Sequence, residues 1–247
     1  MSEKVKLVLP DTGPLITLAQ AEALDALLVF DADHFQLVVT DMVVFEATRQ
    51  RSTHADAQRI ADFIERHVGR IVIEETSFGR MAISAAKTYE RYNQSQQVRD
   101  FYAANQMPVP SPAAPNSGEM SINSYVTELI GQPPGPPCLV IAEDDFFLRS
   151  TAGALPGNAH IISTARLLAK IEELNPRFSA RKVLDAAANF NGRNPNRAVV
   201  DTPAAKIKGG TNWSESLNVN NLTNKLTKRG AIASRGDLGK KPSHPKS

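Results

Sequence analysis

The chain has 247 residues, 42% of them apolar, enough for one medium domain with a substantial core, or for a domain plus an appendage. Its single cysteine, Cys138, excludes a disulfide framework and a cysteine-rich zinc site, and no run of about 18 apolar residues exists to cross a membrane. The net charge of +2 hides an asymmetry, because residues 191–247 hold 11 Lys and Arg against 3 Asp and Glu, leaving the rest acidic overall.

The first residues are too acidic and their apolar run too short for a secretory signal, so a soluble cytoplasmic protein is the expectation. Residues 5–9, VKLVL, predict a short buried strand, and Asp11-Thr12-Gly13 follow it. Gly13 is expected to supply the tight strand-to-helix turn, and Pro14 suits an early helix position, with Leu15, Leu18 and Ala19 spaced for one helix face. Three readings of Asp11 are open. Asp-Thr-Gly is the signature of aspartic proteases; it also suits a metal ligand at the mouth of a parallel sheet; and Asp is a common helix N-cap.

FQLVVT, Phe35 to Thr40, predicts a second strand, and Thr40 or Asp41 can cap the helix MVVFEATRQ. ADAQRIADFIERHV is amphipathic, with Ala57, Ile60, Ala61 and Ile64 on one face, and RIVIEE predicts a third strand. From Arg80 to Gln106 runs a polar helical segment rich in Gln and Tyr, ending in the extended, proline-rich MPVPSPAAP. NSGEMSINSYVTELI starts a helix capped by Asn116 or Ser117, and QPPGPP breaks it. CLVIA, Cys138 to Ala142, predicts a strand ending in Glu143-Asp144-Asp145; HIIS predicts a last strand. Ser163 or Thr164 caps ARLLAKIEEL, and Ser179 caps ARKVLDAAANF. This alternation predicts an α/β sandwich with a mostly parallel sheet, and the loss of periodicity after about Asn191 predicts a disordered tail. The tail's basic charge suits either an anionic partner or a merely solvated segment.

Ligands of open parallel sheets bind at the carboxyl ends of the strands. Asp11 follows the first strand, Asp144 and Asp145 follow CLVIA, Glu46 lies in the helix after the second strand, and Glu119 opens the helix after the prolines. Each acid alone has a plain reading as a helix-start, cap or surface residue. Together, two unit charges 4 Å apart repel by roughly 4 kcal/mol at an effective dielectric near 20, so four gathered carboxylates need cations or protons. Oxygen-only ligands favour Mg²⁺ or Mn²⁺.

VLPDTGPLITLAQ, VVTDMVVFEATR, NSGEMSINSYVTEL and CLVIAEDDFF resemble, in order, the motifs of PIN-domain nucleases, in the branch whose third acid is the Glu of an SGE or PGE helix start. The resemblance spans about residues 4–190 and implies a PIN-like nuclease domain over 1–190 of three-layer α/β/α architecture, with 191–247 as an appended tail. It implies a metal-dependent endoribonuclease, a toxin-like component of a toxin–antitoxin pair, using Mg²⁺ or Mn²⁺. Asp11 becomes the first-strand metal ligand, Thr12 the hydroxyl holding a metal-bound water, Glu46 the helix acid, Glu119 the third acid, and Asp144 the acid of the segment ending at Phe147. Asp145 is an accessory position. An RNA substrate, an antitoxin protein and a homodimer are the implied partners, and a membrane is not. Residues 80–115 exceed the family's usual connection and read as an insertion, either a substrate flap or a partner-docking arm.

The alternative is a non-catalytic PIN-like nucleic-acid-binding or scaffold protein. An aspartic protease would need a second DTG or DSG loop, which the chain lacks. Arg49, Arg51 and Arg149 read as site-proximal cations or as plain solvated surface charges, Cys138 as a core residue, and Leu15, Leu18, Ile60, Phe63 and Ile64 as core or dimer interface.

Overall fold

The computed structural model describes residues 6–130, 136–143 and 159–190. Five strands, β1 (Lys6–Pro10), β2 (Phe35–Thr40), β3 (Ile71–Glu74), β4 (Cys138–Ile141) and β5 (Ala159–Ile162), form one sheet in the order β3-β2-β1-β4-β5. Every pairing is parallel. Parallel strands are covered on both faces, which is why β1, β2 and β4 read as nearly continuous apolar runs. Val8, Val140 and Cys138 are fully buried, and burial pushes the Cys138 thiol far up, as befits a core residue.

Among the described residues, eight α-helices flank the sheet in a three-layer α/β/α sandwich: α1 (Thr12–Gln20), α2 (Asp41–Thr48), α3 (Ala55–Arg66), α4 (Ser77–Gln94), α5 (Gln96–Ala104), α6 (Ser117–Tyr125), α7 (Thr164–Leu174) and α8 (Ala180–Ala188). A 3₁₀ helix, Leu24–Val29, follows α1, and a π-helical turn, Val126–Ile130, continues α6. α1 packs on α3 and α8, and α7 on α8; α6 packs on α4 and β2, and α2 touches both groups. The residues predicted to face inward on α3, Ala57, Ile60, Ala61 and Ile64, are all buried. Leu15, Leu18 and Phe63 are buried too, so the core-or-interface question resolves to core.

The caps follow local chemistry. Ser163 Oγ accepts from the Arg166 N–H and Ser179 Oγ from the Lys182 N–H, as the sequence predicts. Thr40 stands at the N-cap of α2 but makes no cap bond; its hydroxyl instead meets Ser121 of α6 at 2.6 Å. The segment 80–115 contains most of α4, all of α5 and an irregular proline-rich stretch, and α4, which starts before it at Ser77, is bound into the domain through Gly79, Ala82 and Ala86. Gly13 departs from expectation. It lies within α1 with no left-handed backbone, and the reversal from strand to helix happens at Asp11, whose extended φ of −79° and ψ of 173° any residue adopts.

Candidate functional site

The register aligns Pro10, Thr40, Glu74, Ile141 and Ile162 near one edge of the sheet. From β1 the chain moves outward to β2 and β3, then returns past β1 to β4 and β5. The strand order therefore reverses between β1 and β4, and open α/β sheets take their ligands beside such a reversal at the carboxyl edge. Asp11 stands at this reversal: its N–H donates to the Ile141 carbonyl at 2.8 Å, joining the ends of β1 and β4.

Asp11 occupies the N-cap of α1, yet its carboxylate makes no cap hydrogen bond and is only 3% exposed. Burying a carboxylate is costly, so its direction carries information. The direction is toward α2 and α6. A β-carbon added at Gly118 would sit 3.2 Å from Asp11 Oδ1, 2.9 Å from Thr12 Oγ1 and 2.7 Å from Glu46 Oε2. Three oxygens from β1–α1 and α2 thus converge on the space that the missing side chain of residue 118 leaves open.

Thr12 Oγ1 donates to Glu46 Oε2 at 2.9 Å. This charge-assisted bond holds the Glu46 carboxylate facing α1, so the Thr12 proton orients an acid and its lone pairs remain to accept. Asn116, immediately before α6, adopts the left-handed conformation at φ 60°, a position Asn tolerates better than most side chains. That bend turns Ser117, Gly118 and Glu119 inward, and all three are buried. Ser121 holds the turn by donating to the Gly118 carbonyl at 2.8 Å while pairing with Thr40.

The sequence-predicted residues divide as follows. Asp11, Thr12 and Glu46 come together, and Glu119 is buried in the turn that completes the cradle. Asp144, Asp145, Phe147 and Arg149 lie outside the described residues, as does the tail 191–247. Arg49 is exposed at the end of α2, and Arg51 pairs at 3.5 Å with the exposed Glu65, so neither is a site cation. Sequence reasoning missed Gly118, although its place beside Glu119 was a signal. It also missed Glu143, whose carboxylate accepts from the buried Thr17 hydroxyl of α1 at 2.9 Å.

No family model, curated protein or solved structure matches the chain. The site is therefore read from its own chemistry.

Its donors are all oxygen, two of the three contributing side chains are acids, and the cradle is open because residue 118 is glycine. Such a set suits Mg²⁺ or Mn²⁺, since Mg²⁺ is bound through one or two carboxylates while keeping several waters. Among the described residues, no group of three or more His, Cys, Asp or Glu is placed to hold a metal ion. Also among the described residues, no helix is long and apolar enough to cross a membrane. The described residues form an α/β fold and not the β-rich architecture of an aspartic protease, and Asp11 makes no side-chain cap hydrogen bond.

Proposed function

We propose that the chain is a metal-dependent endoribonuclease of PIN-like type, acting as the toxin-like component of a toxin–antitoxin pair. The observation that carries this reading is the convergence of Asp11, Thr12 and Glu46 oxygens on the open space at Gly118, at the strand-order reversal where an α/β sheet takes its ligands. Asp11 and Glu46 would hold the ion together with retained waters, and Glu119 and Asp144 are the further acids that the resemblance implies. A bound Mg²⁺ or Mn²⁺ supplies Lewis-acid polarisation of a phosphoryl oxygen. The chain's own residues supply the rest: Asp11 and Glu46 concentrate negative charge, Thr12 fixes Glu46, and Gly118 leaves room for a ligand. Asn116 and Ser121 set the turn that carries Glu119.

The test is cleavage of RNA by the purified chain. Mg²⁺ or Mn²⁺ should support it, EDTA should abolish it, and Asp11→Asn should lower the rate by at least about a hundredfold, the order expected when a preorganised electrostatic group is lost. Cleavage that survives both chelation and Asp11→Asn would overturn the reading. Metal-independent RNA binding without cleavage would favour a non-catalytic binding protein instead.

A further inference from the structure

α5 buries none of its residues, and Phe101 is 58% exposed at its centre. Tyr102 packs edge-on against Tyr92 of α4 at 5.4 Å, and Phe101 lies 6.3 Å from Tyr102, so three linked rings form the elbow between the two helices. On α4, Lys87, Arg91 and Gln94 project from one side of the helix and, with Glu90 and Ser95, line an open recess of about 310 Å³. Lys87 and Arg91 are exposed and, among the described residues, form no ion pair. The neighbouring cations are committed elsewhere: Arg99 donates to the Tyr92 and Asn93 carbonyls and to Gln96, and Arg80 faces Glu75. α4 itself packs on α2 and α6, the helices that carry Glu46 and Glu119.

Two uncommitted cations one helical turn apart on α4, and an exposed ring on the helix α5 that packs against it, are the elements that bind single-stranded nucleic acid: phosphates on the cations and unpaired bases on the rings. A duplex keeps its bases stacked inside and offers no face to such a ring. We infer that the α4–α5 arm is the docking surface for an unpaired RNA strand, with Lys87 and Arg91 on the phosphates and Phe101 stacking a base. The inference names the substrate class of the nuclease reading and rests on it. Glu90 in the recess limits how many phosphates it takes, so the affinity depends on Phe101 as well as on charge.

The test measures fluorescence anisotropy of a labelled oligouridylate with the full chain in EDTA, so that binding is read without cleavage. Phe101→Ala should weaken binding about tenfold, the loss of one base–ring stack, and Phe101→Leu should weaken it equally. The pair Lys87→Gln with Arg91→Gln should lower the slope of log affinity against log salt by about 1.4, at roughly 0.7 per phosphate contact on a single strand. All three side chains are exposed, so the fold should persist. Unchanged affinity and slope in all the variants would overturn the inference, and so would wild-type affinity in Phe101→Leu, which would mark an apolar face for a protein partner. Binding that follows these expectations in a chain that never cleaves RNA with Mn²⁺ would sink the nuclease reading and leave the docking surface standing.

Discussion

Replacing Gly118 with alanine separates the site from the fold. The new β-carbon would lie 2.7 Å from Glu46 Oε2 and 2.9 Å from Thr12 Oγ1, closer than real β-carbons approach any heavy atom, and 3.2 Å from Asp11 Oδ1. All three are side-chain ends, so they can swing away by a few tenths of an ångström while the backbone stays. Such mild overpacking costs about 1 kcal/mol, and the better helix propensity of alanine offsets up to about the same amount. For a domain of this size the melting temperature should shift by no more than about 4 °C. Metal binding should respond very differently, because Mg²⁺ demands oxygens near 2.1 Å in strict geometry and the methyl group stands where they converge. The assay is thermal melting with and without Mn²⁺. An ion present at about a hundred times its Kd stabilises the wild type by roughly 2.7 kcal/mol. Gly118→Ala should lose most of that gain together with cleavage. A variant that keeps the full Mn²⁺ response and the full rate would refute the placement of the site. A melting point lowered by about 10 °C or more, well over twice the allowance, would show that the displaced atoms are not free to move.

Two further outcomes concern the frame around the site. The Asp41 carboxylate accepts from the Thr76 N–H and hydroxyl, its Oδ2 is buried without a hydrogen-bond partner, and a β-carbon on Gly79 would come within 2.0 Å of its Oδ1. Gly79→Ala should therefore cost about 1–3 kcal/mol in wild-type background and close to nothing in Asp41→Ala, a coupling that a urea-denaturation double-mutant cycle measures; additive effects would contradict it. Burial, aided by the nearby negative charge of Glu74, pushes the Tyr125 hydroxyl up to about 12 from its ordinary 10.0. A raised folded-state value means that stability is whole below pH 10 and declines as the pH climbs from about 10 toward 12. Tyr125→Phe should flatten that part of the stability–pH curve, and an unchanged slope would show that another group titrates there.

Much of the fold was legible residue by residue. FQLVVT is β2 to the residue, and Ser163 and Ser179 cap the helices assigned to them, because strand burial and helix capping act over a few neighbouring positions. The helical character of 80–106 was equally plain, whereas the docking of α4 through Gly79, Ala82 and Ala86 was not, since small residues on a polar helix carry no strong pattern. Gly13 misled because a glycine between strand and helix suggests a left-handed turn, and an extended Asp11 makes the reversal without one. The left-handed residue beside the site is Asn116, which capping preference alone marks as an ordinary N-cap.

By itself the sequence determined the alternating α/β order, the parallel character of the sheet and the presence of acids at strand and helix ends. These depend on periodicity and on chemistry within a turn or a strand. Only the tertiary structure decided that Asp11 and Thr12 meet Glu46 across 34 residues of chain, and that Gly118 is the gap they face. The strand order β3-β2-β1-β4-β5 does this, by reversing between β1 and β4 and returning α6 to lie against β2. No local pattern encodes that meeting, because its energy comes from contacts that exist only once the sheet has closed.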